Sequence, residues 1–162
     1  MKTGWFYPLL IFFPLLLIQI VVIPLISLDG FVPNLPLIAL VFFTLKNGRL
    51  FGAVSGFVYG LLIDLIIGSL IGSTMFSFTA AGFTAGLFFN ENKIENYLRS
   101  YVFILILFLS SLVHEVLIFV ILSFGADGDA FTGIIRQSIY ASLYTSLIGS
   151  AVIILFPGRK FF

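Results

Sequence analysis

With 60% hydrophobic positions, 9% charged positions and 21 phenylalanines in 162 residues, the chain lacks the polar surface that a water-soluble globule needs; soluble domains carry about 25% charged residues. The net charge of +1 carries no signal for nucleic acid, and the absence of cysteine excludes disulfides and thiolate metal sites. The composition predicts a single all-α integral membrane domain over residues 1–162, with room for about six spanning helices of roughly 20 residues each.

The first apolar run, Trp5–Leu28, follows Lys2 as a signal peptide would. It is too long for a signal h-region and no A-x-A cleavage pattern follows, so it is expected to remain as a first span. The second, Asn34–Leu45, opens beside Pro33 and Pro36, where a missing N–H costs least. Its twelve residues rise only about 18 Å against a hydrocarbon core of about 30 Å. Either the first helix bends and the second begins deep, or the bilayer thins there. Four more spans follow near Leu50–Ile67, Leu70–Phe89, Tyr101–Phe124 and Ser138–Phe156.

The third span carries the most specific pattern. In NGRLFGAVSGFVYGLLIDLIIGSLIGS every fourth residue from Gly48 to Gly72 is glycine, except that Asp64 takes the fifth place. Small residues at spacing four let helix backbones approach closely. Gly48, Gly68 and Gly72 are expected in turns, leaving Gly52, Gly56 and Gly60 within the helix. The stripe drifts by about 40° per step, which suits a right-handed crossing. Gly82 and Gly86 in the fourth span form a shorter pair. Two uses are compatible with the pattern: tight packing of a central third helix on the fourth, and an interface to a partner helix.

Orientation follows from the cations. With the N-terminus inside, Lys2, Lys46, Arg49, Lys93, Arg99, Arg159 and Lys160 fall on the cytoplasmic side. Arg136 alone falls outside, with Asp29, Asp127 and Asp129. Both termini are then cytoplasmic and the number of spans is even.

Gln19, Asp64, His114 and Glu115 lie within the spans, where a carboxylate at the bilayer centre costs about 2.5–3.5 kcal/mol on insertion scales. Each should therefore face protein or water. Asp64 reads either as a near-interface carboxylate, hydrated or capping a neighbouring helix N-terminus, or as a polar latch on the glycine stripe. His114 and Glu115 suit polar contacts inside the bundle, to Gln19 or to hydroxyls such as Ser110, Ser111 or Ser142. A proton relay and a partner interface are the other readings, and a proton-coupled channel would use this pair. With one histidine, no cysteine and no H-E-x-x-H spacing, no metal site or cofactor is expected. The chain also lacks G-x-S-x-G and P-loop motifs, so no catalytic residue is assigned.

The segment PNLPLIALVFFTLKNGRLFGAVSGFVYGLLIDLIIGSLIGS (Pro33–Ser73) resembles the bacterial rod shape-determining MreD family. The resemblance rests on the Pro-start short span, the basic turn, the small-residue stripe and a G-L-L-x-D-L run at Gly60, Leu61, Leu62, Asp64 and Leu65, closed by Gly68. In the first span, Gln19 followed by Pro24 also fits. The resemblance implies a non-enzymatic, multi-pass subunit of the cell-elongation machinery in the bacterial inner membrane, supporting peptidoglycan synthesis and rod shape. The implied direct partner is MreC, with RodA, a penicillin-binding transpeptidase and MreB in the same complex. The implied fold is similar to the six-helix substrate-binding subunits of energy-coupling-factor transporters, which supplies an alternative function: binding a vitamin-like small molecule. Those subunits dock through alanine-spaced motifs in their first helix, whereas the first alanine here is Ala39.

Overall fold

The computed structural model describes residues 6–27, 31–68, 70–98, 100–123 and 130–155. Lys2, Asp29, Arg99, Asp127, Asp129, Arg159 and Lys160 lie outside the described residues. The described chain is all-helical: α1 (Phe6–Val21), a 3-10 turn (Ile23–Ile26), α2 (Leu35–Asn47), α3 (Arg49–Ile67), α4 (Ser73–Leu87), the short α5 (Ile94–Leu98), α6 (Tyr101–Leu122) and α7 (Ala130–Leu155). Of these, α3 and α6 are long and apolar enough to cross a membrane.

Several boundaries depart from the sequence reading, among them the fourth span, expected over Leu70–Phe89 and helical only over Ser73–Leu87. The first apolar run is α-helical only to Val21 and tightens into the 3-10 turn. Pro24 enters at the start of that turn, where its missing N–H is harmless. The polar loop between the fourth and fifth spans contains α5. The last helix begins at Ala130 rather than near Ser138, so Arg136 lies on a helix. Arg136, Gln137 and Ser138 interrupt its apolar pattern, which hides the first two turns.

The central element is α2, which touches each of the other six helices. Leu37, Leu40, Val41 and Thr44 are wholly buried, and a helix apolar on every face belongs at the centre of a bundle. The third helix is expected at the centre and packed on the fourth; α3 does pair with α4 along its length, but it leaves Val54, Phe57 and Leu65 exposed and the central place falls to α2. The core has two parts. Phe12, Leu16, Leu37, Leu40, Tyr59, Ile63 and Phe78 join α1 to α2, α3 and α4, with the Phe12 and Tyr59 rings stacked at 3.8 Å. Val41, Leu45, Ala85, Phe103, Ile106 and Leu107 join α2 and α4 to α6.

The turn from α2 to α3 is basic and tight. Gly48 adopts φ 98°, a left-handed conformation that favours glycine. Lys46 lies 4.6 Å from the centre of the Phe42 ring and Arg49 5.2 Å from that of Phe83. Burial holds the Lys46 ammonium below the usual lysine pKa, since a low-dielectric setting disfavours charge.

Candidate functional site

The glycines of α3 face α4. A Cβ built on Gly52 would meet the Gly82 carbonyl oxygen at 2.5 Å and Thr44 as closely. On Gly56 it would strike the Phe78 carbonyl, on Gly60 the Met75 backbone, and on Gly86 the backbone of Arg49. The matched pairs 49–86, 52–82, 56–78 and 60–75 describe one antiparallel register along both helices. Backbone meets backbone at every step. Of the two uses the spacing allows, packing within the chain occupies this face.

One more step along that register brings Asp64 to the end of α4, where exposed N–H groups replace the flank of a helix. The Asp64 side chain is completely buried. Its Oδ2 accepts from the backbone N–H of Gly72 at 2.8 Å and of Met75 at 3.2 Å, and its Oδ1 from that of Thr74 at 3.2 Å. Ser73 N–H donates to the Leu70 carbonyl at 3.0 Å, and Phe76 N–H begins the helical ladder on the Gly72 carbonyl. Every N–H group of this first turn thus has an acceptor, which a helix end shut off from water requires. A carboxylate there is further favoured by the helix dipole. Gly68 at φ 71° and Gly72 at φ 104° make the turn that returns the chain to Asp64.

The same device opens α2. Gln19 Nε2 donates to the Pro33 carbonyl at 3.0 Å, while its Oε1 accepts from Leu35 N–H at 2.9 Å. Asn34 Oδ1 accepts from Leu37 N–H at 3.1 Å as an N-cap side chain. Asn34 N–H reaches Thr145 Oγ1 on α7 at 3.2 Å, and Ile38 N–H bonds the Asn34 carbonyl. Pro36 has no N–H to satisfy. Two short helices, of 13 and 15 residues, are therefore each covered at the N-terminus by a polar side chain near the end of the preceding helix.

His114 and Glu115 stand apart from both caps. His114 Nδ1 lies 3.4 Å from Glu115 Oε1, and the imidazole meets the Phe78 ring edge-on at 4.7 Å. The expected contacts to Gln19 and to Ser110, Ser111 or Ser142 do not form. Gln19 is engaged at the start of α2, and the three hydroxyls and His114 Nε2 have no hydrogen-bond partner among the described residues.

The sequence reading passed over Asn34, Thr145 and Gly149. Asn34 ahead of a Leu-Pro start is a readable N-cap signal. Ala141, Thr145 and Gly149 on α7 repeat the small-residue spacing of four, and a Cβ on Gly149 would collide with Leu107 of α6. What the site offers is hydrogen-bond closure and close helix contact: its carboxylate and amide are engaged by backbone groups.

Neither a curated protein nor a solved structure matches the chain. A family model does, across residues 1–157, which includes both capped helices and the whole α3–α4 seam; by that match the chain belongs to the family of the rod shape-determining protein MreD.

Proposed function

We propose that the chain is a non-enzymatic scaffold subunit of the rod complex in the bacterial cytoplasmic membrane, binding MreC directly and standing with RodA, the penicillin-binding transpeptidase and MreB. Family membership across nearly the full length carries this reading. The distribution of polar groups supports it, since Asp64 and Gln19 hold helix ends. Lys46, Arg49 and Lys93 belong to one end of the bundle, at the α2–α3 turn and the segment after α4, while Arg136 lies in the first turns of α7. That arrangement agrees with six spans and cytoplasmic termini.

Because the glycine stripe is taken up by α4, the partner is held by outward surfaces. The turn between α3 and α4 is the preferred one. Leu65, Ile66, Ile67, Leu70 and Ile71 are all more than half exposed there, an apolar cluster centred on a turn rather than on a helix flank. A scaffold of this kind acts by binding one state of its partner better than another.

Purification of the chain from cells making tagged MreC tests the proposal. Stoichiometric co-elution in detergent is expected, reduced at least tenfold by Leu70→Ser with Ile71→Ser. A chain that elutes alone, and that a vitamin-like molecule stabilises, would favour the transporter alternative instead.

A further inference from the structure

Several helical hydroxyls bond to a carbonyl one turn back. Ser77 donates to Ser73 at 2.8 Å, Thr79 to Met75 at 2.6 Å, Thr84 to Ala80 at 2.8 Å and Ser146 to Leu143 at 2.8 Å. Thr44 on α2 does not; nor do four serines that lie together, Ser110 and Ser111 on α6 and Ser138 and Ser142 on α7. Their exposures are 0%, 0%, 1% and 0%. His114, 5% exposed, is likewise without a partner at Nε2 among the described residues.

By helical register these five groups fall along one seam, where the His114 ring also meets Phe78 of α4. Helices α6 and α7 pack along their lengths, and Gly149 lies against Leu107. Counting along antiparallel helices from that contact sets Ser110 and Ser111 level with Thr145 and Ser146. The next turn sets His114 level with Ser142, with Ser138 one turn beyond. Buried polar atoms without partners are rare in native proteins, and where several gather, ordered water bridges them, each molecule making about three hydrogen bonds.

We propose that the α6–α7 seam is an internal water-binding site, with ordered water bonded to His114 Nε2 and to the hydroxyls of Ser110, Ser111, Ser138 and Ser142. The imidazole is oriented for this role. Glu115 Oε1 lies 3.4 Å from Nδ1; in the tautomer with the proton on Nδ1, that nitrogen donates to the carboxylate and Nε2 is left to accept from water. Water both donates and accepts, and so can link a ring nitrogen to hydroxyls that do not reach backbone carbonyls. This site is independent of the partner-binding reading and survives its failure.

Two measurements test it. His114 is the single histidine of the chain, so isotope-labelled histidine gives one imidazole signal from protein in liposomes. Magnetisation transfer from water to that ring, with the proton on Nδ1, is expected; no transfer would overturn the site. Thermal unfolding of Ser111→Ala and Ser142→Ala in detergent gives the second test through its sign. Loss of a shared water lowers each midpoint by about 2–4 °C, and the double variant falls by less than the sum because both changes remove the same bridge. Midpoints that stay level or rise, as removal of an orphaned hydroxyl from a dry seam would produce, would overturn the proposal.

Discussion

Gly52 and Gly82 occupy each other's missing side-chain positions: a Cβ on either would run into the carbonyl oxygen of the other. Backbone atoms cannot swing aside as a flexible side chain can. Gly52→Ala, Gly56→Ala and Gly82→Ala should therefore each destabilise the fold by about 1–3 kcal/mol through overpacking. Gly133→Ala is the control, because its added methyl meets nothing within 4 Å and alanine improves helix propensity by up to about 1 kcal/mol. Thermal unfolding in detergent reads all four variants, and equal midpoints would remove the close α3–α4 contact from the account.

Asp64 is expected to matter through its acceptor count. Asp64→Ala leaves the N–H groups of Gly72, Thr74 and Met75 without their acceptor, at about 1–3 kcal/mol each where buried, so a loss of about 3 kcal/mol or more is predicted. Asp64→Asn keeps one carbonyl oxygen and should lose roughly half as much. Amide hydrogen exchange at residues 72–75 should accelerate in the same order. A fully stable Asp64→Ala variant would show that water or another side chain covers this helix end.

At the start of α2, Gln19→Leu should cost about 2 kcal/mol by orphaning Leu35 N–H and the Pro33 carbonyl. Gln19→Glu keeps the acceptor but loses the amide donor, and should fall between that variant and the native chain. Thr145→Val removes the acceptor of Asn34 N–H and should cost about 1 kcal/mol. Because Gln19 and Asp64 serve different helices, a Gln19→Leu with Asp64→Ala chain should show additive losses. Strong coupling between them would mean that the two caps form one cooperative unit.

Much of this architecture is legible because periodicity in an apolar sequence has few readings. Glycines at spacing four inside α3, and turn glycines at positions 48, 68 and 72, follow from where a Cβ or a negative φ is impossible. The sequence allows Asp64 to be a helix cap or a latch on the glycine stripe, since spacing places it at the helix end without saying what lies opposite. The pairing of Gly52 with Gly82 needs the α3–α4 register, which no local pattern encodes. The partners of Gln19 were not legible for the same reason: its amide reaches forward to residues 33 and 35, beyond the 3-10 turn. The early start of α7 was hidden by its composition, because Arg136, Gln137 and Ser138 interrupt the apolar pattern in a helix continuous from Ala130.

Photocrosslinking in living cells, scanned one position at a time over exposed residues such as Leu10, Phe57, Leu70, Ile71, Phe83, Tyr101 and Leu147, tests the scaffold reading most directly. Adducts with MreC are expected to concentrate at Leu70 and Ile71, on the apolar turn between the two glycine-packed helices. Adducts with MreC confined to other faces would contradict the assigned surface, and none from any position would contradict direct binding itself.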